Sequence, residues 1–228
     1  MTALSEIVRD VSVDACPLCG SAGASEWYRE PQREYWRCGS CALVFLSPEL
    51  RLSFEAEVER YRLHRNRNDD AGYLKFLSRL AEPMAACTPP RARGLDYGSG
   101  SATALALLMT QSGRPTASYD PVFHPNSSTL GGHYEFVTCS EVLEHVHQPL
   151  TLLEELERLV IQGGKIGIMT QWYDGHTPFG TWHYPRDPTH VCFYAERTMQ
   201  WIAEHFGWEL MIPARDIAIY ATGRARNA

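Results

Sequence analysis

Four cysteines fall in two close pairs, Cys16 with Cys19 and Cys38 with Cys41, and eighteen residues separate the pairs. A two-residue gap lets both thiolates of a tight turn face one ion, and two such turns complete the tetrahedral set of a zinc ribbon. Gly20 and Gly39 relieve the backbone at those turns. Four thiolates leave no open coordination position, so the zinc is expected to hold structure rather than perform chemistry. The competing reading is a coincidental pairing of buried or redox thiols. Between the pairs, residues 26–29 and 34–37 have the pattern of hairpin strands, with Pro31 and Gln32 near the turn. Few apolar residues lie there, so metal binding is expected to supply much of this module's folding free energy.

A second concentration of reactive side chains is Gln171-Trp172-Tyr173-Asp174-Gly175-His176, followed by Trp182-His183-Tyr184-Pro185-Arg186-Asp187-Pro188-Thr189-His190. His183 and His190 flank Asp187, a combination in which a carboxylate can orient an imidazole that serves as base near neutral pH. His190 is the leading candidate for base or substrate contact, with His183 and Asp187 as substrate contacts. The plainer alternative is a histidine that only fixes the loop. The cluster could also take a second metal, although no spacing demands one. Glu141, Glu144 and His145 form another group at the expected start of a helix, where a glutamate can simply complement the helix dipole and a histidine can cap or pack. His145 is the second catalytic candidate. Upstream, the basic run 60–70 offers Tyr61, His64, Asn66 and Arg67 as substrate contacts from a lid, against the alternative of a solvated helix end. Cys139 and Cys192 have apolar or aromatic neighbours and read as packing residues rather than nucleophiles.

Positioning these groups takes a scaffold, and the sequence supplies one. Residues 93–109 run from a short strand through Gly98-Ser99-Gly100 into an apolar helix. The glycines let the backbone pass close to a ligand, and Asp96 at the strand's carboxyl end offers an acceptor for an ammonium or an ordered water. Residues 116–120 form a second strand ending in Asp120, which can accept from both hydroxyls of a ribose. A third strand, 134–139, leads into the Glu141 group. An amphipathic helix over 150–160 is expected to end at Gly163-Gly164, with a strand over 165–170. Two β-type runs, 208–213 and 216–222, suit a hairpin, and Trp201, Ile202 and Phe206 form a helical core stripe. Upstream, 48–86 is helical in two stretches, the second capped by Asp69 or Asp70.

Taken together, LDYGSG (95–100), YDP (119–121), FVTCSEVLEHV (136–146) and GGKIGIMT (163–170) closely resemble class I S-adenosylmethionine (SAM)-dependent methyltransferases, in the subgroup with a leading zinc ribbon. The resemblance covers essentially the whole chain. It implies SAM as cofactor, with Asp96, Gly98 and Gly100 facing its methionine part, Asp120 holding the ribose hydroxyls, and Cys139, Ser140 and Glu141 lining the floor beneath the methyl. It also implies a seven-stranded sheet ending in an antiparallel hairpin. A nicotinamide-dinucleotide fold is the competitor, but no third glycine follows Gly100 at the spacing that packs a pyrophosphate. One departure stands out: about fourteen residues separate Asp120 from the strand at Tyr134, too few for the usual helix and strand. A loop of Phe123, His124, Pro125 and Asn126 is expected there to contact adenine, leaving the sheet one strand short.

The expected architecture is therefore α/β: a doubly wound, Rossmann-like methyltransferase sheet with an antiparallel C-terminal hairpin, after a zinc ribbon and bridging helices. Its parts are a ribbon at 1–47, a helical linker or lid at 48–90 and a SAM-dependent domain at 91–228. Hydrophobic content of 44% with 21% charged residues excludes wholesale disorder. A formal charge of −6 disfavours a surface built to grip nucleic acid, leaving RNA methylation as a rival carried by the ribbon and the basic run. No stretch approaches a membrane span, and the first fifteen residues lack a secretory core, so the expected address is cytoplasmic. The leading function is methyl transfer from SAM to a small-molecule oxygen, nitrogen or carbon. A non-catalytic SAM-binding or zinc-dependent interaction protein is the rival from another class. The oligomeric state is not written in the sequence.

Overall fold

The computed structural model describes residues 15–63 and 67–223. The chain begins with β1 (Ala24–Glu30), β2 (Arg33–Cys38) and β3 (Val44–Leu46), an antiparallel meander whose first turn falls at Pro31-Gln32. Short and aromatic-rich, these strands bury Tyr35 and Phe45.

Two helices follow. Helix α1 (Phe54–Tyr61) is capped by Ser53, whose hydroxyl accepts from the Ala56 amide, and α2 (Ala71–Cys87) by Asp70, which accepts from the Tyr73 amide at 2.9 Å. Helix α2 buries Leu77, Leu80 and Met84. They fit against the sheet because Gly167 has no side chain; a Cβ there would stand 2.5 Å from Met84 Sδ. Of the basic run, Arg67 pairs with Asp69 at the surface, and His64 and Asn66 lie outside the described residues.

The main sheet contains β4 (Gly94–Tyr97), β5 (Thr116–Tyr119), β6 (Tyr134–Ser140) and β7 (Val160–Met169), with α3 (Ala104–Gln111) and α4 (Pro149–Leu159) as crossovers. Then come β8 (Cys192–Phe193), α5 (Glu196–Phe206), β9 (Glu209–Ala214) and β10 (Ile217–Ala221). The sheet order is β5-β4-β6-β7-β10-β9, parallel through β7 and antiparallel in the closing hairpin. Among the described residues it has six strands, because 120–133 holds only a turn and a 3₁₀ segment at Ser127–Gly131. Strand β8 is not in this sheet. It pairs antiparallel with β3 and completes a four-stranded ribbon sheet in the order β1-β2-β3-β8.

One expectation is corrected. Gly163-Gly164 does not end α4, which stops at Leu159, and both glycines lie inside β7. Gly163 has φ +78°, and a Cβ on Gly164 would come 2.7 Å from the Glu135 carbonyl. Glycine is required there by a close strand approach at a register shift opposite Tyr134–Phe136, not by a helix end.

Candidate active site

A cavity of about 640 Å3 opens at the carboxyl ends of β4, β5 and β6, where open α/β sheets collect ligands. Asp96 lies on its wall, buried, with Oδ1 accepting from the Thr138 hydroxyl at 2.9 Å. Burial pushes this carboxyl up to about 7, against the opposing pull of the Thr138 bond. Asp120 ties three segments together: Oδ2 accepts from the Gly100 amide (3.0 Å), and Oδ1 from the amides of Val122 (2.8 Å) and Phe123 (2.9 Å). Gly98 has φ +74°, and a side chain on it would run into Val142 at 2.4 Å. Gly100 has φ +65° and open space before it. Pro121, Val122 and Phe123 carry the wall onward from Asp120, while His124 is bridged back to Asp120.

The other end is roofed by Phe54 and Tyr61 of α1 and by Tyr73 and Phe76 of α2. Helix α1 is held down where Glu57 Oε1 meets His147 Nε2 at 2.8 Å. Below them lie Glu141, Glu144, His145 and His190. The sequence expectation that Glu144 complements a helix start is corrected, since it sits in the 3₁₀ turn Leu143–His145, fully buried. Its two oxygens accept from the Tyr184 hydroxyl (2.6 Å) and the Thr170 hydroxyl (2.9 Å). Glu141 has φ +52°, in the left-handed region, and its carboxyl is pushed up to about 9 by burial and then by the neighbouring Glu144.

Both histidines are oriented by backbone carbonyls. His190 Nδ1 donates to the Tyr184 carbonyl at 2.8 Å and His145 Nδ1 to the Thr189 carbonyl at 3.2 Å. A carbonyl can only accept, so Nδ1 carries the proton in each ring and Nε2 of the neutral ring holds a lone pair. The rings meet edge to face, 4.7 Å between centroids, and Tyr61 packs on His145 at 5.3 Å. Burial lowers the His190 pKa, keeping the ring neutral near physiological pH. One ligand atom each from Glu144, His145 and His190 can lie within 4.8 Å of the others, a set able to hold a divalent cation.

Of the residues singled out in the sequence, Asp96, Gly98, Gly100, Asp120, Ser140, Glu141, His145, His190 and Tyr61 share this one cavity. Cys139 does not. It is fully buried in the main core cluster and absent from the cavity wall, which corrects its expected place on the floor. His183 is exposed beside Gln171 and off the wall. Asp187 is also off it: its Oδ1 accepts from the amide and hydroxyl of Thr189. Although burial raises it, those bonds hold its carboxyl below the usual range. Asp187 thus shapes the turn that presents the Thr189 carbonyl to His145. The sequence reading missed Tyr184 and Thr170 as partners of Glu144, and Tyr97, whose hydroxyl donates to Glu155 at 2.8 Å on the cavity wall. Tyr184 did stand within the polar run, but nothing local pairs it with Glu144, forty residues away.

The four paired cysteines converge. Cys16 and Cys41 Sγ are 3.6 Å apart, Cys19 and Cys38 Sγ 3.4 Å, and all four lie within 4.8 Å of one another. A disulfide needs about 2.05 Å, whereas four thiolates around zinc at about 2.3 Å stand about 3.8 Å apart. The donor set and its shape fit zinc. Without a cation the thiols compete for protons: a hydrogen bond from Cys41 pulls Cys16 down to about 6, while burial pushes Cys19 up to about 12.

A family model described as a methyltransferase domain matches residues 63–211. The chain belongs to this methyltransferase family. Curated relatives are the ubiquinone biosynthesis O-methyltransferases of Sodalis glossinidius (33% identical over 91 residues, 40% of this chain and 36% of the relative) and Vibrio parahaemolyticus (31% over 91 residues, 40% and 38%). The chain thus matches little more than a third of those relatives' length. A solved structure of Burkholderia thailandensis 1,6-didemethyltoxoflavin-N1-methyltransferase, with its namesake compound and S-adenosylhomocysteine (SAH) bound, overlays at TM-score 0.50. It is 14% identical and covers 88% of this chain and all of that one. A chain from the Haloferax volcanii complex of the Trm112 methyltransferase activator with a methyltransferase overlays at 0.53, with 13% identity, covering 77% of this chain and 98% of that one. At such identities these two show the fold alone. The chain thus carries a methyltransferase domain, for which the expected methyl donor is SAM. The cavity fits that donor: Asp96 for an ammonium, space before Gly100, and a buried Ser140 hydroxyl on the wall with no hydrogen-bond partner among the described residues.

Proposed function

We propose that this methyltransferase acts on a small hydroxyl-bearing molecule that enters under α1 and α2, and that His190 Nε2 removes the hydroxyl proton. Bound SAM supplies an electrophilic methyl, so the protein's part is to align the acceptor oxygen and take its proton. The observation carrying this reading is the His190 tautomer fixed by the Tyr184 carbonyl, in a ring kept neutral by burial on the cavity wall beside Glu144 and His145. Glu144, held by Tyr184 and Thr170, would stabilise the imidazolium that forms. The roof of Phe54, Tyr61, Tyr73 and Phe76 suits an aromatic or otherwise apolar acceptor body. The curated relatives being O-methyltransferases supports oxygen as the methylated atom. In the same reading Asp96, Gly98, Gly100, Asp120, Ser140 and Glu141 contact SAM, and the Cys16, Cys19, Cys38, Cys41 site holds a structural zinc.

A second reading has its own observation. Glu144, His145 and His190 can bring three ligand atoms together, and a cation there would acidify the acceptor hydroxyl in place of a base. RNA remains disfavoured by the formal charge of −6. The test is transfer of labelled methyl from SAM to a panel of phenols and catechols, with and without a chelator too weak to strip the thiolate site. Transfer that survives chelation supports the base; transfer restored only by added magnesium or manganese supports the cation. RNA as the sole labelled product would refute both.

A further inference from the structure

We propose that the ribbon positions His190, through β3 and Arg33, and has no comparable hold on the SAM end of the cavity. The proposal rests on the reading of His190 as the base. Residues 171–191, which carry Tyr184 and His190, contribute no strand to the main sheet. They are tied to the ribbon as well as to the turn that carries Glu144 and His145. The Leu46 amide, at the end of β3, donates to the Val191 carbonyl at 2.9 Å, and the Val191 amide donates to the Glu144 carbonyl at 2.7 Å. The residue next to His190 is therefore clamped between the ribbon and the turn that holds Glu144. On the other side, Arg33 donates to the Pro185 carbonyl and to the Tyr35 hydroxyl. Pro185 adjoins Tyr184, whose own carbonyl orients His190. Between these two ties, Tyr35 packs edge-on against Phe179 (4.9 Å) and Phe193 (5.7 Å).

The thiolate site governs this clamp. Its second turn, Cys38 to Cys41, redirects the chain from β2 into β3, and the Cys38 amide donates to the Leu43 carbonyl at 2.9 Å. At the SAM end the bonds run elsewhere: Asp96 to Thr138, Gly98 to Tyr119, Asp120 to Gly100, Val122 and Phe123. None of those partners belongs to the ribbon. Arg33 and β3 are thus positioning elements for one half of a bipartite site.

The test uses the full chain loaded with zinc, comparing wild type, Arg33→Met and Arg33→Lys. Arg33→Met should retain zinc, keep SAH affinity within about twofold, speed amide exchange at 184–194, and lower kcat about tenfold or more at unchanged KM for SAM. Arg33→Lys still donates to the Pro185 carbonyl and should recover most of kcat, which a general packing role would not produce. Graded zinc removal from wild type should speed exchange at 33–46 and 184–194 before it reaches 94–100 or 134–140. Unchanged exchange at 184–194 in both experiments would overturn the proposal, as would SAH affinity falling in step with kcat. If wild type turns over no acceptor, the proposed activity fails, but the exchange data still decide this proposal.

Discussion

Lowering the pH from 8 to 6 is expected to weaken SAH binding about tenfold, through one carboxyl. Asp96 is buried, and its pKa in the free protein is raised to about 7. The ligand's ammonium favours the carboxylate, so any proton on Asp96 must leave when SAH binds. The apparent dissociation constant then scales as one plus the ratio of protonated to ionised Asp96, which is about 1.1 at pH 8 and about 11 at pH 6. That tenfold ratio is about 1.4 kcal/mol. The sign is set by the ligand: affinity rises with pH and levels off once Asp96 is ionised in the free protein. Neighbouring groups add little slope, since Glu141 is pushed up to about 9 and stays neutral across the window, while burial keeps His190 neutral over most of it. Calorimetry in two buffers of different ionisation enthalpy would read both the constant and the proton released, about half a proton at pH 7. Asp96→Asn should bind more weakly and lose the pH dependence. A wild-type constant flat between pH 6 and 8, or a slope that survives in Asp96→Asn, would refute the argument.

Gly98→Ala should weaken SAH binding and cost about 1–2 kcal/mol of stability from the left-handed backbone alone, with further strain from the Val142 clash. Adding Val142→Ala should recover only the clash, as urea denaturation of both variants would show. Tyr184→Phe leaves Glu144 buried with one fewer donor, and should cost about 1–3 kcal/mol in the same assay. An unchanged midpoint would mean that water takes the hydroxyl's place. Metal analysis should find about one zinc per chain in wild type and less in Cys16→Ser or Cys38→Ser; a folded wild-type protein free of metal would reject the ribbon site.

What could be read from the sequence was local. The cysteine spacing, the glycine loop with its acid two dozen residues on, and the hairpin at 209–221 each depend on neighbours a few residues apart or on one strand-helix-strand unit. The missing strand was legible for the same reason, because 120–133 is simply too short to hold a helix and a strand. Readings failed where glycine or acid had more than one local meaning. Gly163-Gly164 suits a helix end as well as a crowded strand, and only the distant Glu135 carbonyl decides between them. Glu144 suits a helix dipole until Thr170 and Tyr184 arrive from other segments. The pairing of β3 with β8 joins residues about 150 apart, across the whole main domain, and no period in either two- or three-residue strand announces it.

Single-turnover methyl transfer by His190→Gln, with SAM bound to saturation and the best hydroxylated acceptor from wild type, tests the joined cavity most directly. SAH affinity is expected to match that of wild type, with transfer slower by about a hundredfold or more. Transfer at the wild-type rate would contradict that expectation, and so would a loss of SAH binding equal to the loss of rate.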